Sequence, residues 1–238
     1  MSSFAERLAV VFEKNGFMLS AEQKEKFEIY RNFLLYWNEK VNLTAISSDE
    51  GIIIKHFLDS AFAAKYVPLS KRQKLADIGS GAGFPSVPLK IMYPGLDITL
   101  VDSLNKRIVF LQSLLDTLGL KGKALHIRAE DAAQSPLYRE KFDLVSARAV
   151  ARMNILCEYC LPFVMPGGLF IALKGFEIEA ELEEARSAVK TLGGQFEALE
   201  KFQLSESEKR SIILIKKISQ TSSKYPRQSG KILKNPLL

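Results

Sequence analysis

The stretch Leu75-Ala-Asp-Ile-Gly-Ser-Gly-Ala-Gly-Phe84 decides the fold of this 238-residue chain. Its first four residues form the short apolar run of a buried strand. The glycines at 79, 81 and 83 predict a tight turn that a ligand can approach closely. A dinucleotide-binding fingerprint, G-x-G-x-x-G, would need its third glycine at position 84, which is Phe84. The stretch therefore predicts a ligand-binding loop in an α/β sheet, and not one of the NAD type.

Short apolar runs alternate with helical patterns around this loop. The predicted strands are residues 75–78, 98–101, 124–127, 142–145 and 169–173. Such alternation indicates β-α-β units in a mostly parallel, doubly wound sheet, with ligands beyond the C-terminal ends of the strands. Two later runs, 196–204 and 211–217, predict a terminal antiparallel pair.

The residues before the loop predict helices only. Apolar residues recur at helical spacing from residue 4 to about 66, and Ser20 with Gln23 is a capping-box signature. Ser47 with Glu50 is a second signature of this kind. We expect a helical extension over 1–68, a sheet domain over 69–218 and a basic, linker-like tail over 219–238.

Polar residues follow the second and third predicted strands. Asp102 ends the second strand, where a carboxylate can bind the two hydroxyls of a cofactor ribose. Alternatively, Asp102 or Ser103 caps the next helix. Ala129 and Glu130 follow the third strand, where an adenine ring would lie, although Glu130 alternatively caps or solvates the next turn. The G-x-G-x-G pattern resembles the S-adenosylmethionine (SAM) loop of Rossmann-like methyltransferases.

Two cations follow the fourth and fifth predicted strands. Arg148 lies in Val145-Ser-Ala-Arg-Ala-Val150, at the position that faces the reacting group in such folds, and Lys174 follows the fifth strand. Either cation is alternatively an ordinary surface charge. The chain lacks the N/D-P-P-Y/F/W segment typical of amine methyltransferases and the nucleophilic cysteine of cytosine-C5 enzymes at this point. Both of those classes are therefore disfavoured.

The net charge of +6 is concentrated near the C-terminus. Residues 209–238 contain eight lysines and arginines and no acidic residue, as expected for a segment attracted to phosphates, or for a solvated tail. Cys157 and Cys160 form a single C-x-x-C pair, which is typical of a redox pair or of half a zinc site. The sequence has no second such pair to complete four zinc ligands, so we expect no metal. No apolar run is long enough to span a bilayer, and a cytoplasmic protein is expected.

With these residues in place, the chain resembles the bacterial GidB/RsmG family, which methylates guanine N7 in small-subunit (16S) ribosomal RNA. The resemblance covers nearly the whole chain and rests on several motifs in order. These are Trp37-Asn-Glu-Lys-Val-Asn-Leu-Thr44, His56-Phe-Leu-Asp-Ser60, Asp77-Ile-Gly-Ser-Gly-Ala-Gly-Phe-Pro85, Val101-Asp-Ser-Leu-Asn-Lys-Arg107, Ser146-Ala-Arg-Ala149, Ala172-Leu-Lys-Gly175 and Lys224-Tyr-Pro-Arg227.

The resemblance implies a class I SAM-dependent methyltransferase sheet, SAM as cofactor, and the small ribosomal subunit as the partner of a monomer. The residues expected to bind SAM are Gly79, Gly81, Gly83, Phe84, Asp102, Ser103, Ala129, Glu130 and Arg148. Arg148 and Lys174 are the expected catalytic residues. The residues expected to bind RNA are Lys106, Arg107, Lys174, Arg210, Lys224 and Arg227.

Three alternatives stay open at this stage. One is a SAM- or RNA-binding assembly factor without catalysis, another is a methyltransferase for a different RNA atom, and a third is one for a small molecule. His56 and Asp59, one helical turn apart, are interpreted either as orienting the N-terminal helices against the loop or as a structural hydrogen bond.

Overall fold

The computed structural model describes residues 2–69 and 73–238, which fold around a seven-stranded sheet in the order β3-β2-β1-β4-β5-β7-β6. The first five strands are parallel, and β7 pairs antiparallel with both β5 and β6. The mostly parallel sheet with an antiparallel end is therefore confirmed. The strands are β1 (Lys74–Ile78), β2 (Asp97–Asp102), β3 (Gly122–His126), β4 (Phe142–Arg148), β5 (Val164–Gly175), β6 (Gly194–Ser205) and β7 (Glu208–Lys217).

Helices cover both faces of the sheet, as a parallel sheet buried on two sides requires. Side chains of β1 alternate between two buried clusters, with Leu75 in one and Ala76 and Ile78 in the other. The first cluster packs under α1 (Phe4–Lys14), α2 (Ala21–Val41), α4 (Asp59–Tyr66), α5 (Ser86–Met92) and α6 (Asn105–Thr117). The second packs under α7 (Ala129–Gln134), α8 (Met153–Cys160), α9 (Glu179–Thr191) and α10 (Ser229–Lys234).

The N-terminal helices begin largely where the sequence indicates. Ser20 accepts a hydrogen bond from the Gln23 amide, and the Gln23 side chain accepts one from the Ser20 amide, which confirms the predicted capping box. The second predicted capping signature is wrong, because Ser48 and not Ser47 caps α3 (Asp49–Gly51). A π-helical segment, Ile52–Leu58, then connects α3 to α4. Such segments are rare and are frequent at functional sites.

The last twenty residues differ from the expected linker-like tail, because they pack against the sheet domain. Ile232 of α10 is fully buried in the second cluster, and Arg227 pairs with the buried carboxylate of Glu158 in α8. The division at residues 68 and 218 stays a prediction, and its first boundary lies beside residues 70–72, outside the described part of the chain. Among the described residues, no helix is both long and apolar enough to cross a membrane.

Candidate active site

A cavity of about 280 Å³ lies beyond the C-terminal ends of β1, β2 and β3. Its volume is near the lower end of the range for small-molecule sites. It brings together five of the residues expected to bind SAM: Gly79, Asp102, Ser103, Ala129 and Glu130. The sequence therefore located this cavity, although contact with a cofactor stays a prediction.

The glycine loop lets the backbone form the floor of this cavity. Gly79 has a φ of +70°, and a Cβ atom there would lie 2.7 Å from Cγ2 of Val150, another lining residue. Gly83 has a φ of +94°, and a Cβ atom there would lie 2.9 Å from Oη of Tyr30. Gly83 is thus needed for packing against α2, whereas Gly79 borders the cavity itself.

Asp102 holds the loop and faces the cavity at the same time. Its Oδ2 accepts a 2.9 Å hydrogen bond from the amide of Gly81, and its Oδ1 accepts one of 2.9 Å from the amide of Leu104. The capping alternative for Asp102 and Ser103 is wrong, since α6 is capped at Leu104 without a side-chain hydrogen bond. A carboxylate oxygen can accept more than one hydrogen bond. The cavity therefore fits a ligand that donates ribose hydroxyls.

Asp77 is buried directly beneath the loop. Its Oδ1 accepts a 2.7 Å hydrogen bond from Oγ of Ser146, while Oδ2 has no hydrogen-bond partner among the described residues. Burial raises the pKa of Asp77 to about 7. This carboxyl group is therefore protonated in a large fraction of molecules near neutral pH.

Phe84 packs away from the cavity. Its ring is buried and stacks on His56, with 4.5 Å between ring centroids, and on Tyr30, at 5.4 Å. The guanidinium carbon of Arg148 lies 4.8 Å from the centroid of the same ring. The Phe84 side chain is thus a support beneath Arg148, and contact between Phe84 and a cofactor stays a prediction.

Arg148, at the end of β4, is fixed by the N-terminal helices. Its Nη1 donates to the carbonyl of Lys55 at 3.0 Å and to Oδ2 of Asp59 at 2.9 Å, and its Nη2 lies 3.3 Å from Nδ1 of His56. The proposed hydrogen bond between His56 and Asp59 is therefore replaced by contacts of both residues with Arg148. This arrangement agrees with the other interpretation, in which these residues orient the helices against the sheet.

Burial shifts the pKa values of His56 and Asp59, the two titratable residues that contact Arg148. Burial and the charge of Arg148 lower the pKa of His56 to about 3, so the imidazole is neutral at physiological pH. Its Nε2 lies 2.8 Å from Oγ1 of Thr44. Burial raises the pKa of Asp59, and the positive charge of Arg148 opposes that shift. Arg148 and Asp59 thus form a mostly buried ion pair, with side chains 16% and 5% exposed.

A second cavity, of about 460 Å³, adjoins the first at Ala149, which lines both. Four cationic residues line it: Lys55, Arg148, Lys174 and Arg210. Lys174 donates to the carbonyl of Ala151 at 2.8 Å and pairs with Glu181 at 2.5 Å. Arg210 pairs with Glu208 at 2.8 Å and lies 3.9 Å from Asp59. The structure therefore brings together Arg148, Lys174 and Arg210 at one cavity.

The remaining cations expected to bind RNA are dispersed. Lys106 is exposed on α6, whereas Arg107 lines the first cavity 3.5 Å from Asp102. Lys224 is exposed, but Arg227 is occupied by Glu158. An RNA-binding role for each stays a prediction, and Arg227 additionally holds the C-terminal segment in place.

Sequence reasoning missed several lining residues. Lys55 enters the second cavity from the π-helical segment, and Tyr159 and Ser229 enter the first from α8 and α10. No periodicity or motif indicates that these residues approach a strand end. The Cys157 and Cys160 thiols are buried in α8, which raises the pKa of both. Within residues 2–69 and 73–238, no group of three or more His, Cys, Asp or Glu residues is placed to hold a metal ion.

Comparisons with solved structures show the same fold at low identity. A putative methyltransferase from Bacillus halodurans has a TM-score of 0.51 and 11% identity, covering 68% of this chain and all of that one. M. jannaschii TYW2, solved in complex with AdoMet, has a TM-score of 0.54 and 11% identity, covering 67% of this chain and 77% of that one. The sheet is therefore that of the class I SAM-dependent methyltransferases.

Sequence relatives are much closer. The ribosomal RNA small subunit methyltransferase G of Brevibacillus brevis is 50% identical over 98% of this chain and 99% of its own length. The protein of the same name from Bacillus licheniformis is 49% identical over 98% of both chains. The GidB family, described as rRNA small subunit methyltransferase G, matches residues 23–213. The chain therefore belongs to the GidB family.

Proposed function

We propose that this protein transfers a methyl group from SAM to N7 of a guanosine in 16S ribosomal RNA of the small subunit. The observation that carries this proposal is the meeting of two cavities at Ala149. One cavity contains groups suited to a nucleoside, and the other is lined by four cations. Family membership supports the same reaction, since the relatives are named as small-subunit methyltransferases.

The first cavity would hold the cofactor. Asp102 would accept hydrogen bonds from its ribose hydroxyls, and Ala129 and Glu130 would border its adenine. Gly79 would border the cofactor with bare backbone, since its left-handed conformation beside Val150 has no room for a side chain. When bound, SAM supplies an electrophilic sulfonium methyl group.

The second cavity would receive the guanine and its phosphates. Guanine N7 is a hydrogen-bond acceptor that carries no proton, so its reaction needs no general base. Alignment of the reacting atoms then supplies much of the rate enhancement. Arg148 suits this task because Asp59, the Lys55 carbonyl and the ring of Phe84 hold its guanidinium in one orientation. Lys174 and Arg210 would bind phosphate oxygens at the same cavity.

Exposed cations beyond the cavities would add salt-dependent affinity for the rest of the RNA. Lys106 and Lys224 are exposed, and Arg107 lies at the first cavity. Since one chain lines both cavities, we propose that the protein acts as a monomer, and since its substrate is ribosomal, that it acts in the cytoplasm.

The deciding experiment incubates the protein with labelled SAM and small subunits that lack this methylation, followed by chemical cleavage at 7-methylguanosine. We expect label in 16S RNA and one new cleavage position. Label without cleavage would indicate another RNA atom. SAM binding without label in the RNA would instead support an assembly factor without catalysis.

A further inference from the structure

The C-terminal segment 219–238 contributes directly to the first cavity. Ser229, the first residue of α10, lines this cavity together with Tyr159 of α8. Oη of Tyr159 lies 2.9 Å from Oγ of Ser229, so the two hydroxyl groups form a hydrogen-bonded pair at the cavity wall. Asp102 and Glu130 line the same cavity. A ligand there therefore meets residues from the extreme C-terminal part of the chain.

An ion pair beside Ser229 anchors this segment. Glu158 of α8 is fully buried, and its carboxylate accepts hydrogen bonds from the backbone amide of Arg227 at 2.7 Å and from Nη2 of Arg227, also at 2.7 Å. A buried carboxylate is costly unless it is paired. Arg227 is therefore held at Glu158, and this contact fixes the backbone two residues before Ser229.

A second anchor lies at the C-terminal end of α7 and just beyond it. The guanidinium of Arg139 donates to four carbonyl groups, three of which belong to the segment: Thr221 at 2.6 Å, Ser222 at 3.1 Å and Tyr225 at 2.8 Å. Nε2 of Gln134 donates to the carbonyl of Pro226 at 2.8 Å. These contacts fix the backbone between Thr221 and Pro226, and the fully buried Ile232 fixes the helix that follows.

Because of these anchors, residues 219–238 are not a free basic tail. Its central arginine is neutralised by Glu158, and its backbone is held by Arg139 and Gln134. A wall that is ordered before the ligand arrives avoids the entropy loss of ordering it on binding. The segment is thus suited to ligand binding at the cavity.

We propose that residues 219–238 form a strap along one wall of the cofactor cavity, with Ser229 as a binding residue for the adenosyl part of the cofactor. Tyr159 and Arg227 act as positioning residues for Ser229. The adenosyl part is the relevant one because Asp102, Ala129 and Glu130 line this cavity. This inference rests on the proposed function for the identity of the ligand.

The test measures binding of S-adenosylhomocysteine to the full-length protein by calorimetry. Loss of one hydrogen bond corresponds to a change in affinity of about three- to tenfold. We expect Ser229→Ala and Tyr159→Phe each to weaken binding by about that factor. In methylation assays both variants should raise KM for SAM and leave KM for RNA and kcat unchanged. Arg227→Ala should weaken binding at least as much.

Gln228→Ala is the matched control, because Gln228 is exposed, adjacent to Ser229, and makes no side-chain capping hydrogen bond to α10. It should bind as the wild-type protein does. If Arg227→Ala does not fold, the two hydroxyl variants still decide the question. Wild-type affinity in both of them would overturn the strap, and so would a change confined to KM for RNA. Failure of the wild-type protein to bind S-adenosylhomocysteine would instead overturn the proposed function, and the strap with it.

Discussion

Nη1 of Arg148 donates a 2.9 Å hydrogen bond to Oδ2 of Asp59, joining the end of β4 to the N-terminal helices. Both side chains are mostly buried, so each would lose its main charged partner without the other. The pair therefore has two roles that mutation can separate: it stabilises the packing of the helices, and it orients the guanidinium toward the second cavity.

Arg148→Ala should lower the free energy of unfolding by about 3–5 kcal/mol, because it leaves the Asp59 carboxylate buried without its main partner. The double variant Asp59→Ala/Arg148→Ala should recover part of this loss in urea denaturation. Single-turnover methyl transfer at saturating RNA should stay at least about tenfold low in both, since alignment is lost. Recovery of methyl transfer in the double variant would show that Arg148 is only structural.

Gly79→Ala should destabilise the protein and weaken S-adenosylhomocysteine binding. The new methyl group would be forced into a left-handed backbone and against Cγ2 of Val150. Gly16→Ala is the matched control, because Gly16 also has a positive φ but has open space at its Cβ position. Backbone strain alone costs about 1–2 kcal/mol, and the clash at Gly79 adds to it. Equal losses of unfolding free energy in the two variants would contradict the close approach.

The contributions of Asp77 and His56 to the free energy of unfolding should change in opposite directions as the pH rises. The pKa of Asp77 is raised from 3.8 to about 7 in the folded protein, so its contribution to stability falls as the pH rises through that interval. The pKa of His56 is lowered from 6.5 to about 3, so its contribution rises with pH between those values. Each slope is at most about 1.4 kcal/mol per pH unit.

Single substitutions reveal the two contributions. Between pH 4 and 6.5, the unfolding free energy of Asp77→Asn should increase more steeply with pH than that of the wild-type protein, and that of His56→Gln less steeply. Urea denaturation at several pH values measures both slopes. Parallel curves for the three proteins would mean that neither group has a shifted pKa.

Lys224→Ala should weaken binding to small-subunit RNA and reduce the slope of log affinity against log salt concentration by up to about one. Lys224 is exposed, so its loss should leave methyl transfer at saturating RNA unchanged. Lys14→Ala, an exposed change on α1, is the control and should alter neither quantity. A loss of methyl transfer that saturating RNA does not restore would place Lys224 in the active site instead.

The sequence predicts the sheet and the loop well because both depend on local patterns. The short, continuously buried run of β1 and the glycines after it need no distant partner to be recognised. The position of Ser229 depends instead on a contact between Arg227 and Glu158, which are 69 residues apart. A run of basic residues indicates charge but does not show whether an internal carboxylate neutralises it. Likewise, Phe84 is adjacent to the loop in sequence, yet its ring packs beneath Arg148.

The π-helical segment Ile52–Leu58 also constrains how the length of this chain can vary. A π-helix closes hydrogen bonds five residues apart, so each turn contains more residues than the 3.6 of an α-helix. Deleting one residue there would favour an ordinary α-helix, in which each residue turns by about 100°, more than in a π-helix, so the side chains of this segment would change direction relative to Asp59. The carbonyl of Lys55 and the ring of His56 would then no longer meet Arg148, although the apolar composition would hardly change. In this segment, homologous proteins are therefore expected to differ by substitution and not by insertion or deletion.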